Sequence, residues 1–186
     1  MGNFYVNYTL RGPEPEVVVT ALKGRSAIVT PKDKGSVVVF DAEAESQDLG
    51  VFDAVGRGLS TELKCPVLAV LNHDDDVLLY RVFDDGQLID DYNSAPAYPT
   101  PSVAPSGGNA ELLCRAFETD NPSAVSAILQ KPQRGGPDGY LFAVHRHLAL
   151  VEALGLSVFV VGAGFSQVSA DDAPNGVCET DLLFTP

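Results

Sequence analysis

Five consecutive residues, Asn72-His73-Asp74-Asp75-Asp76, present the oxygen donors that a hard cation takes. Calcium and magnesium want several such ligands at once. The alternating acids and the distant glutamate of an EF-hand loop are missing here. Asn and Asp also favour tight turns, because they bond their own backbone. The stretch is therefore expected to be a solvated hairpin turn, and neither a metal nor another cofactor is expected. Asp84-Asp85-Gly86 is a second such turn, with glycine supplying a positive φ. Asp90-Asp91 fits a charged guard on an exposed strand edge.

Nucleophilic chemistry would need Cys114, in Glu111-Leu112-Leu113-Cys114, paired with a base from His145-Arg146-His147. Residues two apart on a helix lie about 200° apart, so His145 and His147 cannot share a metal. The spacing puts His145 on the apolar face and His147 on the other side. No GxSxG elbow is present, and a free cysteine is a common core residue. Ser106-Gly107-Gly108-Asn109 precedes a predicted helix and could leave amide groups free to hold an anion. The Gly-Lys-Ser/Thr end of a P-loop is missing, and Ser106 or Asn109 would also serve as a helix N-cap. Val158 to Gln167, VFVVGAGFSQ, has the Gly-Ala-Gly opening of a dinucleotide-binding turn, but Gln167 stands in place of the third glycine. Only 19 residues follow it, too few for a helix and a second parallel strand. The stretch reads as a strand leaving through a glycine turn.

The elements that must position these groups follow from patterning. Asn3 to Leu10 alternates as a strand, and Pro13 to Leu22 reads as a helix. Arg25 to Thr30 and Ser36 to Asp41 are two strands around the turn PKDKG. Leu49, Phe52, Val55, Leu59 and Leu63 share one helical face within Gln47 to Leu63, and Pro66 ends that helix. Val67 to Leu71 is the next strand. The order β-α-β-β-α-β is that of a split βαβ, or ferredoxin-like, α+β arrangement. Val77 to Phe83 and Gln87 to Tyr92 would extend its sheet as a two-strand meander. Ser94 to Gly108 carries four prolines and two glycines and reads as a loop or linker. Three helices follow, at Asn109 to Phe117, Pro122 to Gln130 and Asp138 to Leu154. Ser157 to Val161 reads as a short terminal strand, and the tail from Ala163 as irregular. The last helix is expected to bury Leu141, Val144, His145, Leu148 and Val151. The whole, 1–186, is one domain, with a sheet part over 1–93 and a mainly helical part over 109–186.

The chain has 186 residues and a formal net charge of −13. Residues His73 to Tyr92 alone hold seven acids and one arginine. The basic residues Arg11, Lys23, Arg25, Lys32, Lys34, Arg57 and Lys64 are scattered, and the densest group is a turn. A nucleic-acid binder needs a basic face, and an anionic membrane repels this sign of charge. Both partners are excluded, while a basic protein partner fits. Cys65, Cys114 and Cys178 are odd in number and form no CxxC pair, which favours a reducing compartment. The first residues lack the n- and h-regions of a signal peptide. No apolar run approaches the roughly 18 residues of a membrane span. A cytoplasmic protein is expected.

The expected function is a non-enzymatic binding module for a protein partner or a small ligand. In an inhibitor- or immunity-like version, Asp74, Asp75, Asp76, Asp90 and Asp91 would face a basic partner. A small ligand would lie at Ser106, Gly107, Gly108 and Asn109. One alternative is a small hydrolytic enzyme with Cys114, His145 or His147 between the sheet and the helices. A second is a structural domain that acts as a homodimer.

Overall fold

Alternation along Tyr5–Arg11 sends Tyr5, Asn7 and Thr9 to one side and Val6, Tyr8 and Leu10 to the other. All six are buried, so this strand must be covered on both faces. The computed structural model describes residues 2–100, 104–133, 139–169, 173–174 and 176–185. Among them the chain is mixed α+β, with one eight-stranded antiparallel sheet and six α-helices. In chain order these are β1 (Tyr5–Arg11), α1 (Pro15–Ala21), β2 (Ala27–Val29), β3 (Ser36–Asp41), α2 (Leu49–Leu63) and β4 (Val67–His73). Then come β5 (Val77–Asp84), β6 (Gln87–Asn93), β7 (Ser106–Gly107), α3 (Ala110–Ala116), α4 (Pro122–Gln130), α5 (Ala143–Ala153), α6 (Phe165–Ser169) and β8 (Leu183–Thr185). The strands lie in the order β7-β6-β5-β4-β1-β3-β2-β8.

One face of the sheet packs Val6, Tyr8, Leu10, Val39 and Ala69 against α1 and α2 through Val18, Phe52, Val55 and Leu59. The opposite face packs Tyr5, Phe40, Val70 and Tyr80 against Leu113, Val125, Leu150 and Val151 of α3, α4 and α5. Asp48 caps α2, its carboxylate accepting from Val51 N. Glycine inside α2 costs helix propensity, but Gly56 has a packing reason. A Cβ there would come within 2.6 Å of the Phe83 ring, so the glycine lets α2 lie close on the sheet.

Four expectations are corrected in the C-terminal half: the start of the last long helix, its buried face, the strand after it and the tail. The predicted helix from Asp138 begins only at Ala143; Asp138 itself lies outside the described residues. Its buried stripe is Ala143, Arg146, His147, Leu150 and Val151, and Leu141, Phe142 and Leu148 are exposed. His145 is exposed and His147 is buried, the reverse of the apolar-face assignment. The stripe is set by Arg146, whose Nη1 and Nη2 donate to Ile128 O and Lys131 O at 2.6 Å each. The Tyr140 ring lies 4.6 Å from its guanidinium carbon, so the last carbonyls of α4 and an aromatic face hold a buried cation that has no carboxylate partner among the described residues.

The predicted strand Ser157 to Val161 is instead a 3-10 turn at Val158–Val160. The Asn7 side chain donates to Val160 O (2.8 Å) and Ala163 O (2.9 Å), which takes carbonyls a ladder would need. The tail is not irregular throughout. It forms α6, and then β8, which pairs with β2 at the sheet edge. None of the helices among the described residues is long and apolar enough to cross a membrane.

Candidate functional site

The acidic turn after β4 works inside the fold. Asp74 and Asp75 both take left-handed backbone, with φ of 52° and 57°, and Asp76 N donates back to His73 O at 3.0 Å. The Asp75 carboxylate accepts from Asn3 N (3.1 Å), Asn3 Nδ2 (2.9 Å) and Asn72 Nδ2 (3.0 Å). Asp74 accepts from Gly2 N at 2.9 Å, and Asp75 O accepts from Ala143 N, at the start of α5, at 2.7 Å. The turn is thus a clasp on the chain start and on α5. Asp75 is buried, and neither Asp74 nor Asp76 is fully exposed, so the turn is less solvated than its composition suggests.

A similar closure fills the glycine turn before α3. Asn109 Oδ1 accepts from Leu112 N at 3.0 Å, an ordinary N-cap. Asn109 N donates to Asp90 Oδ2 at 2.9 Å, and Tyr80 Oη donates to the same oxygen at 2.8 Å. The anion at this helix start is therefore the chain's own Asp90, whose pKa burial pushes up. Gly107, at φ 72°, leaves no room for a Cβ, which would lie 2.2 Å from Asp91 O. Ser106 and Gly107 lie against β6 as β7, and Asp91 stays exposed.

The nucleophile candidates are not assembled. His147 is buried, and its Nδ1 shares a 2.7 Å hydrogen bond with Tyr5 Oη. Desolvation pushes its pKa down to about 3, so the ring stays neutral. Cys114 is buried in α3, and among the described residues no hydrogen bond joins it to His145 or His147. His145 packs edge-on against Phe142. Apolar side chains fill the space between the sheet and α3 to α5. Among the described residues no group of three or more His, Cys, Asp or Glu could hold a metal.

At the other end of the sheet a cleft of about 750 Å³ opens. Antiparallel register assembles it. Arg11 pairs with Ser36 across β3, its amide donates to Pro66 O at 3.2 Å, and Val67 pairs with Phe83. The end of β1, the β2–β3 hairpin, the α2–β4 junction and the end of β5 therefore meet in one row. They bring Arg11, Lys32 and Lys64 to the cleft with Asp84, and the far end of α3 adds Arg115 and Glu118. Cys65, Pro66, Ile89, Leu112 and Ala116 form an apolar wall. Ile89 is the extra residue of a bulge in β6, where Val82 pairs with Asp90 and Phe83 with Leu88. A bulge re-aims the side chain it displaces.

Four of the 12 basic residues of a −13 chain thus line one concave site, and the scatter along the sequence is undone by folding. Arg11 Nε and Nη2 donate to Glu118 Oε2 at 3.0 and 2.8 Å. Lys32 Nζ donates to Glu14 Oε1 and Gly12 O at 2.6 Å each, and Lys64 pairs with Asp85. Arg115 makes no ion pair among the described residues, and it stands exposed in the last turn of α3. Burial pushes the Cys65 thiol up to about 11, which makes it part of the wall rather than a nucleophile.

Comparison with family models, curated proteins and solved structures finds no match. Two other concavities, of about 610 Å³ between α3 and α4 and about 420 Å³ beside Gly162, set the scale. Among the described residues the first carries a single charged side chain, Glu111, and the second none. The cleft at the Arg11–Lys64 end, with four cations and two carboxylates in its lining, is chemically distinct from both. A local signal for it existed in the sequence. Arg11-Gly12 follows the predicted strand Asn3 to Leu10 and Lys64-Cys65-Pro66 precedes the predicted strand Val67 to Leu71, and antiparallel pairing puts those two points side by side. Lys32 and Arg115 required the register of the whole sheet.

Proposed function

We propose that the protein is a soluble, cytoplasmic binding module whose ligand is a small anion held in the cleft at the Arg11–Lys64 end of the sheet. The observation that carries this reading is the convergence of Arg11, Lys32, Lys64 and Arg115 on one concave site in a chain of net charge −13. The cleft sets four cations against two lining carboxylates, Asp84 and Glu118, beside an apolar wall, and an apolar wall with convergent polar groups is the usual form of a small-ligand pocket. The carboxylates that now pair with these cations do not forbid a ligand. Exposed ion pairs are worth about 0–1 kcal/mol, so a ligand anion exchanges with them at little cost.

The order β4-β1-β3-β2, with α1 and α2 on the two crossovers, supports reading the central strands as ferredoxin-like, with β5 and β6 as an added meander. A binding role is favoured over hydrolysis because His147 is held neutral and, among the described residues, no hydrogen bond joins Cys114 to a base. A basic protein partner is less well supported, because the carboxylates of Asp75 and Asp90 are engaged within the chain.

The test is a titration of the ¹⁵N-labelled chain with sodium salts of simple carboxylates and phosphate, read by two-dimensional NMR. Saturable shifts at the amides of Gly12, Gly35, Lys64 and Cys65 are expected. A panel of anions that moves none of them would rule the reading out.

A further inference from the structure

We infer that the cleft takes a small organic acid, one carboxylate on an apolar body, and that Glu118 holds from within the chain the position on Arg11 that this carboxylate takes on binding. This inference rests on the reading of the cleft as the ligand site and adds to it a ligand class and an internal competitor.

The Arg11 guanidinium is fixed. Its Nη1 donates to Lys34 O at 2.6 Å, and its side chain is only 23% exposed. Its remaining edge, Nε with Nη2, points at a single carboxylate oxygen of Glu118. That edge is the fork with which arginine recognises carboxylates. Glu118 is the movable member of the pair. Its side chain is 71% exposed, and it sits just past the C-cap of α3 at φ 56°, outside any regular element. An ion pair with one partner so exposed is worth at most about 1 kcal/mol.

The body of the ligand follows from the wall. Ile89, Leu112 and Ala116 line the same cleft as Arg11 and Glu118, and all three are half-buried with area left to cover. Burial of that area favours an apolar body at roughly 25 cal/mol per Å². The charge of the ligand follows from the field. A chain of −13 repels a polyanion at every distance within the screening length, and a single carboxylate meets the least of that repulsion. Arg115, near Leu112 and Ala116 on α3, offers the second cation.

The experiment measures binding to the full chain by calorimetry and NMR. The probes are hexanoate, acetate, inorganic phosphate and hexylammonium, each tested against the wild type, Glu118→Gln and Glu118→Ala. Hexanoate is expected to bind in the cleft more tightly than acetate or phosphate, and hexylammonium is not expected to bind there. Both Glu118 variants are expected to tighten hexanoate by about fivefold, the effect of removing a competitor worth about 1 kcal/mol. Glutamine accepts the same backbone, and a cooperative unfolding transition within about 1 kcal/mol of the wild type certifies each variant. Phosphate binding as tight as hexanoate, or Glu118 variants with unchanged or weaker affinity, would overturn this inference and leave the cleft as an anion site. Hexanoate and phosphate both failing to move the cleft amides would overturn the inference and the proposed function together.

Discussion

The two ends of β4 carry polar groups to opposite fates. Beyond His73, the polar groups of Asn3, Asn72 and Asp75 pair with one another, and Tyr5 with His147, inside the fold. Before Val67, Lys64 and the neighbouring Arg11, Lys32 and Arg115 keep to the solvent edge, and the ion-pair partners they have are exposed carboxylates. Buried polar groups are held by the cost of leaving them unpaired. Exposed ion pairs are held by almost nothing. The first end is therefore architecture, and the second can exchange partners with a ligand. Acid-rich composition marks the first end in the sequence, and function is assigned to the second.

The contrast breaks most visibly at Asp75. Asp75→Ala leaves the Asn3 and Asn72 donors unmatched at the clasp, and is expected to cost about 2–4 kcal/mol in a urea unfolding titration. A loss below about 0.5 kcal/mol would mean that the turn is as replaceable as the cleft. The next effect is in pH. Native His147 stays neutral down to about 3, whereas in the unfolded chain it protonates near 6.5. The unfolded state therefore binds the extra proton in between. Stability from this group is fully present above about pH 6.5 and is lost as the pH falls toward 3, by up to about 1.4 kcal/mol per pH unit. His147→Gln is expected to flatten that part of the stability profile, and equal slopes in the two proteins would contradict the burial argument. Tyr5→Phe removes the hydroxyl that His147 Nδ1 meets and is expected to cost about 1 kcal/mol. At the other end, Lys64→Ala is expected to change stability by no more than about 0.5 kcal/mol, because its pair with Asp85 stands in solvent.

Much of the sheet was legible in the sequence. Period-two alternation and turn residues gave β1, β3, β4, β5 and β6, and the Phe52-Val55-Leu59 stripe gave α2. The misreadings share one physical cause, polar side chains inside the core whose partners lie far along the chain. Arg146 and His147 look like surface residues until the end of α4 and Tyr5 are in place, and so the buried face of α5 was misassigned. Val158–Val160 looks like a strand until Asn7 takes its carbonyl. β7 and β8, of two and three residues, are too short for any periodicity to mark them. The cleft was hidden differently. Its cations are ordinary one by one, and only strand register makes them a site.

At this end of the sheet the cations act together on an anion. The most direct measurement is the hexanoate dissociation constant of Lys64→Ala/Arg115→Ala beside that of the wild type, with the unfolding midpoints of both recorded. We predict an affinity weakened by about tenfold or more at an unchanged midpoint. Equal affinity in the two proteins would contradict the claim that this end of the sheet is the binding site.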